Sequence, residues 1–443
     1  MSREARLMDK RLLSWIEYVF TVLALVLYSG GPLTVILTGG HSQGEEQAAT
    51  QDFRIMQLLF AATYLIFMAL LALRWRRTIY VLRKNSLLWC FVGFIVVSAL
   101  WSFEPSVTLR RSIAIVGTTA FGLYISSRYT LKEQLEILGW TFGIITLLSW
   151  VYGLLLPSYG IMSGVHEGSW RGIYTHKNGL GREMVSAFII FLLLLRNGSY
   201  YWLKVLGLCA SFSLLLLSNS KTALVIFPTM LLVVTACYML RLYYKLMVVV
   251  ISSIALTSGG LLLILVLNSK RLLALVGKDL TLTGRTDIWM QTINNIGERP
   301  FLGYGYQGFW RGWNSESSDI LLREGWLVNH AHNGFLELCL ELGLLGLVIF
   351  LLGFCIVWVR SIRQLRMTRR AEQIWPVVFI AFMVLSNLTE TSLVEYNSIH
   401  WVLYVAIGFS VSLPRNSYQY FNDSQPLLHC QQIGTETLRY PTP

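Results

Sequence analysis

Charged residues are scarce in this sequence. Asp, Glu, Lys and Arg make up 14% of its 443 residues, whereas 54% are hydrophobic. A water-soluble protein could not bury so much apolar surface, so the composition excludes a soluble globular domain. Apolar runs of about 18 to 25 residues recur along the chain, which is the length that a transmembrane helix needs. The sequence therefore predicts an all-α, polytopic integral membrane protein.

Signals for disulfides, zinc and cleavage are missing as well. No two of the six cysteines have CxxC spacing, and most lie in or beside apolar runs, where cysteine behaves as a small hydrophobe. We expect neither a disulfide framework nor a metal site. The first apolar run follows Arg3, Arg6, Lys10 and Arg11, is too long for a signal-peptide core and has no small-residue cleavage site. It is predicted to be an uncleaved first span.

Hydropathy and loop charge give the predicted topology. We expect about twelve spans in one transmembrane domain, residues 1–413, followed by a poorly ordered cytoplasmic tail, 414–443. The net charge of +12 comes mostly from short loops, where basic residues set orientation, so no nucleic-acid partner is expected. The positive-inside rule predicts that both termini lie in the cytoplasm. The predicted spans lie near 14–38, 55–73, 86–101, 111–127, 134–156, 179–195, 201–218, 222–240, 246–267, 334–359, 374–392 and 398–413.

Two large loops are then predicted on the outer, periplasmic face, 157–178 and 268–333, the second lying between spans 9 and 10. Within the second, an approximate 3.6-residue stripe from Ile288 to Ile296 predicts a short surface helix that Thr286 would cap and Pro300 would end. The segment 303–308 fits G-x-G-x-x-G, but no strand precedes it and it faces outward. We interpret it as a turn and not as a dinucleotide site.

Cations on the outer face are unexpected, because the positive-inside rule places basic residues mainly in cytoplasmic loops. Arg171, His176 and Lys177 close the first large loop, and Asn178 would begin the next helix. A polyanionic ligand would explain them, since Arg offers a fork matched to phosphate oxygens and helix N-termini favour anions. The alternative is contact with lipid headgroups or helix capping.

Further cations on the predicted outer face could also bind phosphate. Lys221 ends an S-x-x-K sequence whose usual partner motifs are missing, so it is either a snorkelling lysine or a phosphate-binding cation. Arg285 precedes the predicted surface helix and is a second candidate phosphate ligand. Arg110 and Arg111 open the fourth span, where headgroup contact and ligand binding are equally open interpretations.

A histidine pair stands at the start of the tenth predicted span. His332 and Asn333 precede an apolar helix, and an imidazole there can accept a proton from a hydroxyl near neutral pH. His330 is two residues away, a spacing that does not favour a helical metal clamp. Glu337 either orients the imidazole or stabilises the helix start. Gly343 and Gly346 would permit close helix packing.

Together these motifs resemble the O-antigen ligase and bacterial exopolysaccharide polymerase superfamily, with the Lys221 version similar to the succinoglycan-type polymerases. The resemblance covers most of the chain, in order. The motifs that carry it are Trp101-Ser-x-x-Pro105, Arg171-Gly with His176-Lys-Asn178-Gly-Leu-Gly181, Ser218-x-Ser220-Lys221-Thr222, Gly284-Arg285 with Trp289, Pro300 with Gly303-x-Gly305, and His332-Asn333 with Gly343 and Gly346.

The resemblance implies a GT-C-like glycosyltransferase of the bacterial inner membrane that works on the periplasmic face and needs neither metal nor other cofactor. Its donor would be a glycan on undecaprenyl pyrophosphate, and its acceptor a lipid-linked repeat unit or lipid A core. Chain-length regulator and flippase proteins are further candidate partners. By motif matching, His332 would be the base, and Arg171, Lys221 and Arg285 would bind the pyrophosphate of the donor.

Several functions remain open at this point. A polymerase of repeat units is favoured, because ligases usually carry Arg where this chain has Lys221, and a lone ammonium loses the bidentate fork. A ligase that transfers the glycan to lipid A core, or to protein, is the alternative. A transporter or flippase would predict ionisable residues in the middle of the membrane and repeat symmetry. A non-catalytic scaffold would leave the outer cations unexplained.

Overall fold

The computed structural model describes residues 3–39, 54–195, 200–242, 285–311, 316–318, 320, 328–368 and 370–414. Over these ranges the chain is helical, and an isolated antiparallel bridge between Ile161 and Trp170 is the one β feature they contain. The predicted all-α class is confirmed. The predicted span at 246–267, part of the second large loop and the tail beyond Pro414 lie outside the described residues.

The helices follow the predicted spans closely. Thr130 and Glu133 begin one of them with a reciprocal capping box, and Pro105 occupies the first turn of another, where its missing N–H costs nothing. The helix bounds are α1 Arg3–Tyr28, α2 Pro32–Leu37, α3 Arg54–Leu73, α4 Trp75–Leu82, α5 Ser86–Val97, α6 Pro105–Arg128, α7 Leu131–Leu155, α8 Pro157–Gly160, α9 Lys177–Leu194, α10 Tyr201–Leu217, α11 Lys221–Leu242, α12 Arg285–Glu298, α13 Gly334–Met367, α14 Trp375–Asn387 and α15 Ile399–Ser410.

Within the described residues, five helices are long and apolar enough to cross a membrane, or six if the bent pair α4 and α5 counts as one span. Helices such as α10 and α15 are apolar but shorter than the roughly 20 residues that a bilayer needs. The prediction of about twelve spans is therefore supported only in its coarser form, as a many-helix membrane protein. The predicted first span also breaks, since α1 ends at Tyr28 and α2 begins at Pro32.

Cations that were assigned to cytoplasmic loops meet at one carboxylate. Glu17 of α1 accepts hydrogen bonds from Arg74 at 2.5 and 2.9 Å, from Arg128 at 3.2 Å and from the hydroxyl of Tyr124 at 2.8 Å. This network ties α1 to the ends of α3 and α6. The loops that carry Arg74 and Arg128 consequently lie at the same end of the molecule, as the charge pattern predicts, while the side of the membrane stays a prediction.

The fold near the predicted outer end depends on a break in α13. Gly343 has φ 64° and ψ −174°, which interrupts the helix within residues 334–367. Four backbone groups of α13 on either side of this break hydrogen-bond to the segment 300–305. The carbonyls of Leu340 and Glu341 accept from the N–H groups of Tyr304 and Gly305 at 3.0 and 2.8 Å.

The two freed N–H groups are satisfied by the same segment. Leu344 donates to the carbonyl of Pro300 at 2.7 Å, and Leu345 donates to the carbonyl of Phe301 at 3.2 Å. An unsatisfied backbone group at membrane depth costs several kcal/mol, so the break and the inserted segment depend on each other. Gly343 was expected to permit helix packing. Its role is instead to admit this segment, because a β-carbon there would overlap the backbone of Phe301.

The segment that fills the break is also anchored on its other side. Trp101 donates its indole N–H to the carbonyl of Leu302 at 2.9 Å, and Phe103 donates its N–H to the carbonyl of Tyr304 at 3.1 Å. The predicted turn at 303–308 is confirmed, with Gly303 and Gly305 at positive φ. The segment 300–308 is therefore fixed between the end of α5 and the break in α13.

We expect Gly343→Ala to lower the free energy of unfolding by about 1–3 kcal/mol from backbone strain, and by more through the overlap with Phe301. The measurement is thermal or denaturant unfolding in detergent. The matched control is Gly353→Ala on the same helix, where a β-carbon would lie 3.7 Å from Leu87, an ordinary contact. Equal stabilities of the two variants would contradict the interdependence of the break and the segment.

Candidate functional site

The loop that carries His332 is held through the backbone of its neighbour. The N–H of Ala331 donates to Glu337 Oε2 at 2.7 Å, and the carbonyl of Ala331 accepts from the indole of Trp289 at 3.0 Å. The carboxylate of Glu337 thus fixes the backbone beside His332. This role differs from the two predicted ones, which were orientation of the imidazole and stabilisation of the helix start. Asn333 caps α13 by accepting from the N–H groups of Phe335 and Leu336.

The imidazole of His332 lies against that of His330, with ring centroids 4.1 Å apart. The expectation that these rings would not meet assumed a helix, whereas His332 lies in a loop with φ 51°. Burial, followed by the positive charges of His330, Arg285 and His176, lowers the pKa of His332 to about 2. The ring is therefore neutral and able to accept a proton at neutral pH.

Arg285 is the first residue of α12, so Thr286 lies inside the helix and does not cap it. The guanidinium of Arg285 donates to the carbonyl of Thr389 at 2.6 Å and to Glu390 Oε1 at 3.2 Å. The same oxygen of Glu390 accepts from the side-chain amide of Asn178 at 3.1 Å. Glu390 therefore connects α12 to the start of α9.

The connection continues into α11. Ser220, which precedes that helix, donates its hydroxyl to Asn178 Oδ1 at 2.9 Å. Lys177, at the start of α9, donates Nζ to the carbonyl of Asn219 at 3.3 Å. Burial and the nearby charge of Lys221 lower the pKa of Lys177. The N-termini of α9 and α11 are thus side by side, each with a lysine.

A cleft opens beside these helix starts. It is small and partly open to solvent. Asn178, Arg182 and Ser220 line it together with Glu390, and apolar residues of α11 and α14 complete it. It therefore presents a cationic and hydrogen-bonding end above an apolar wall.

His176 supports the start of α9. Its Nδ1 accepts from the N–H of Asn178 at 3.2 Å, and its ring lies 5.5 Å from that of His166. Burial lowers the pKa of His176 to about 4, although the charge of Glu390 acts in the opposite direction. We assign His176 a capping role beside the site.

Arg171 is placed differently from the other candidate phosphate ligands. Its side chain is buried, and it donates from Nε to the carbonyl of Tyr159 at 2.7 Å and from Nη2 to the carbonyl of Ser158 at 2.9 Å. These contacts favour a role in folding the loop 157–178. Arg110 and Arg111 lie elsewhere again, where Arg111 donates to Gln307 Oε1 at 2.6 Å.

The fold brings to the site several residues that no sequence motif indicated. Glu390 contacts two predicted site residues, and its signal was an acidic residue in a loop between two apolar spans. Arg182 and Glu183 are adjacent in apolar α9 and form an ion pair of 3.2 Å, to which His400 adds a contact of 3.4 Å. Ionisable residues inside an apolar helix are a functional signal in their own right.

No group of three or more His, Cys, Asp or Glu side chains is arranged to hold a metal ion in the part of the chain that the structure describes. The residues near His332 present mainly cations, an amide and one carboxylate. This set is suited to an anionic ligand with phosphate oxygens.

Comparison with known proteins bears on this geometry. Residues 206–351, which include Lys221, Arg285 and His332, match the family model described as O-Antigen ligase. The predicted resemblance is confirmed. The chain is 23% identical over 383 residues to the Exopolysaccharide production protein ExoQ of Rhizobium meliloti (strain 1021), covering 82% of this chain and 85% of that protein.

A second relative is similar over a shorter stretch. A "Putative polysaccharide ligase" of Rickettsia conorii is 40% identical over 78 residues, which is 17% of this chain and 18% of that protein. A ligase of O-antigen joins glycans, so the family description implies an activity of glycosyltransferase type.

The restraint on the His332 loop can be tested without any substrate. Trp289→Phe removes the hydrogen bond to Ala331 while keeping an aromatic side chain, at a cost of about 1 kcal/mol. We expect amide hydrogen exchange within residues 330–333 to accelerate by about fivefold. Trp150→Phe, which removes an indole bond to the carbonyl of Ala210, is the matched control and should leave that loop unchanged. Unaltered exchange in Trp289→Phe would exclude the restraint.

Proposed function

We propose that this protein is an inverting, metal-independent membrane glycosyltransferase. It polymerises oligosaccharide repeat units carried on undecaprenyl pyrophosphate, on the periplasmic face of the bacterial inner membrane. The observation that carries the proposal is an arrangement of three parts. Neutral His332 lies within reach of the charge of Arg285, and Glu390, the partner of Arg285, lines a cleft beside two helix N-termini that bear lysines.

The cations would hold the leaving group. Arg285, Lys177 and Lys221 stand at the first residues of α12, α9 and α11, where the helix dipoles also favour negative charge. Arg285 uses two contacts on Thr389 and Glu390, and a guanidinium has five N–H donors, so donors remain for phosphate oxygens. As the bond from the anomeric carbon to the diphosphate breaks, its electron pair leaves with the diphosphate, whose growing charge these groups stabilise.

His332 would activate the acceptor. Its neutral imidazole takes the proton of the acceptor hydroxyl while the oxygen attacks the anomeric carbon opposite the diphosphate, which inverts the configuration. An imidazole with a pKa of about 2 is a weak base. A bound diphosphate carries two negative charges that oppose the charge of Arg285, so donor binding raises the pKa of His332 toward the useful range.

Two observations favour polymerisation. The relative that aligns along most of this chain is an exopolysaccharide production protein, whereas the similarity to a putative ligase covers 17% of it. Lys221 also replaces the usual ligase arginine. Ligation of the glycan to lipid A core, or to protein, is the second candidate, because the matching family model is described as O-Antigen ligase.

Reconstitution separates these activities. We expect the purified protein, supplied with undecaprenyl-pyrophosphate repeat units alone, to produce a ladder of glycans on an electrophoretic gel. His332→Gln should lower the rate by about 10²–10⁴-fold, since general base catalysis contributes that much. Lys132→Gln, which changes an exposed residue of α7, is the control and should retain the wild-type rate.

The outcomes are distinct for each hypothesis. A product that forms only after lipid A core is added would support the ligase. A wild-type rate in correctly inserted His332→Gln would exclude His332 as the base, whichever acceptor is used.

The pH dependence tests the electrostatics of the free site. Both phosphates of the donor are esterified, so the donor does not titrate near neutrality. Because burial and neighbouring cations lower the pKa of His332 to about 2, its imidazole stays neutral in the free enzyme. We expect kcat/KM to stay level from about pH 8 to about pH 5, since this parameter reports free-enzyme groups. A fall in kcat/KM centred near the ordinary histidine value of about 6.5 would contradict the assigned environment.

A further inference from the structure

A second group of cations lies apart from the candidate site and shares no residue with it. Arg110 and Arg111 are near the start of α6, and Arg111 donates to Gln307 Oε1 at 2.6 Å. The guanidinium of Arg111 also lies 5.5 Å from the ring centre of Tyr396. Arg311 follows Gln307 by four residues, and the charges of Arg111 and Arg110 both act on it. We call Arg110, Arg111 and Arg311 the arginine cluster.

The arginine cluster has no ion-pair partner within the described residues, since the ion pairs that they form involve other cations. The buried carboxylate of Glu341 acts on Arg111 from a longer distance. Glu104 acts on Arg311 only from beyond ion-pair distance. Burial, together with Arg111 and Arg110, lowers the pKa of Arg311. Three guanidinium groups held together in this way favour the binding of an anion.

The surroundings of the cluster indicate a lipid-borne anion. Leu109 and Ile113 of α6, which flank Arg110 on the helix, are 49% and 62% exposed. They are four residues apart and therefore lie on one face, with Arg110 three residues before Ile113. An apolar face that continues from a cationic group fits a molecule with phosphate at one end and a hydrocarbon chain at the other.

We propose that the arginine cluster binds the phosphates of a second lipid-linked glycan, which serves as the acceptor. This inference rests on the proposed function, because a polymerase of lipid-linked units has to hold two such molecules at once. The donor diphosphate binds the cations of the candidate site, and the acceptor diphosphate binds the arginine cluster.

The two sites are close enough for this arrangement. Glu390 belongs to the candidate site, and Tyr396 lies beneath Arg111, six residues further along the chain. Six residues span at most about 20 Å even when fully extended. An oligosaccharide of several sugars can cross that distance, so an acceptor held by its phosphates at the arginine cluster can present its far hydroxyl to His332.

Binding stoichiometry tests the inference. The full chain in nanodiscs of phosphatidylcholine is titrated with geranylgeranyl diphosphate, an isoprenyl diphosphate without sugar. We expect two sites on the wild type. Arg110→Gln combined with Arg311→Gln should weaken one of them by about tenfold or more, and Arg285→Gln should weaken the other by a similar factor. Arg110→Gln alone, at an exposed position, gives the same test if the double variant does not fold.

Each outcome decides one question. A single site, weakened by Arg285→Gln and unaffected in the arginine-cluster variants, would overturn this inference and leave the proposed function standing. No binding at either place would overturn both. If phosphatidylglycerol in the nanodisc displaces the probe from the second site, the cluster binds bulk anionic headgroups, and its assignment to the acceptor is wrong. Two sites that withstand phosphatidylglycerol support the assignment.

Discussion

The exchange of backbone hydrogen bonds at Gly343 is the interaction on which the rest of this structure depends. A membrane helix normally satisfies its own backbone groups, and α13 gives up two rungs of its ladder to a segment from the preceding loop. That exchange fixes 300–308 against α5 and α6, and thereby brings Gln307 to Arg111. It also separates the first turns of α13, which Asn333 caps and which carry Glu337, from the long apolar remainder of the helix.

The candidate site is assembled from short pieces rather than from one element. Glu390 joins Arg285 to Asn178, Ser220 extends the network into α11, and Ala331 is held on both sides so that His332 has a defined position. Such sharing lets the partly buried carboxylate of Glu390 position a guanidinium and an amide that come from different helices. It also balances part of the charge of Arg285, while other N–H groups of that guanidinium stay available to an anionic ligand.

Much of this could be predicted from the sequence, and the reasons for the rest are physical. Long apolar runs and loop charge predicted the helices, because both follow from the cost of placing polar groups in lipid. The motifs placed His332, Arg285, Lys177 and Asn178 on the correct segments. The contacts of Arg285 and Asn178 with Glu390 depend on tertiary packing between residues more than a hundred positions apart, which no local pattern encodes. Arg171 shows that charge alone does not identify a ligand site, since its guanidinium donates to backbone carbonyls.

The spread of the site along the chain has a consequence for biosynthesis. Its groups run from His176 to Glu390, so the ribosome must deliver almost the whole protein before Arg285 and Asn178 acquire the carboxylate that they share. Nascent chains that have inserted only their earlier helices lack this partner, so their candidate site is incomplete. The candidate site is therefore complete only after the last helices have been synthesised and packed.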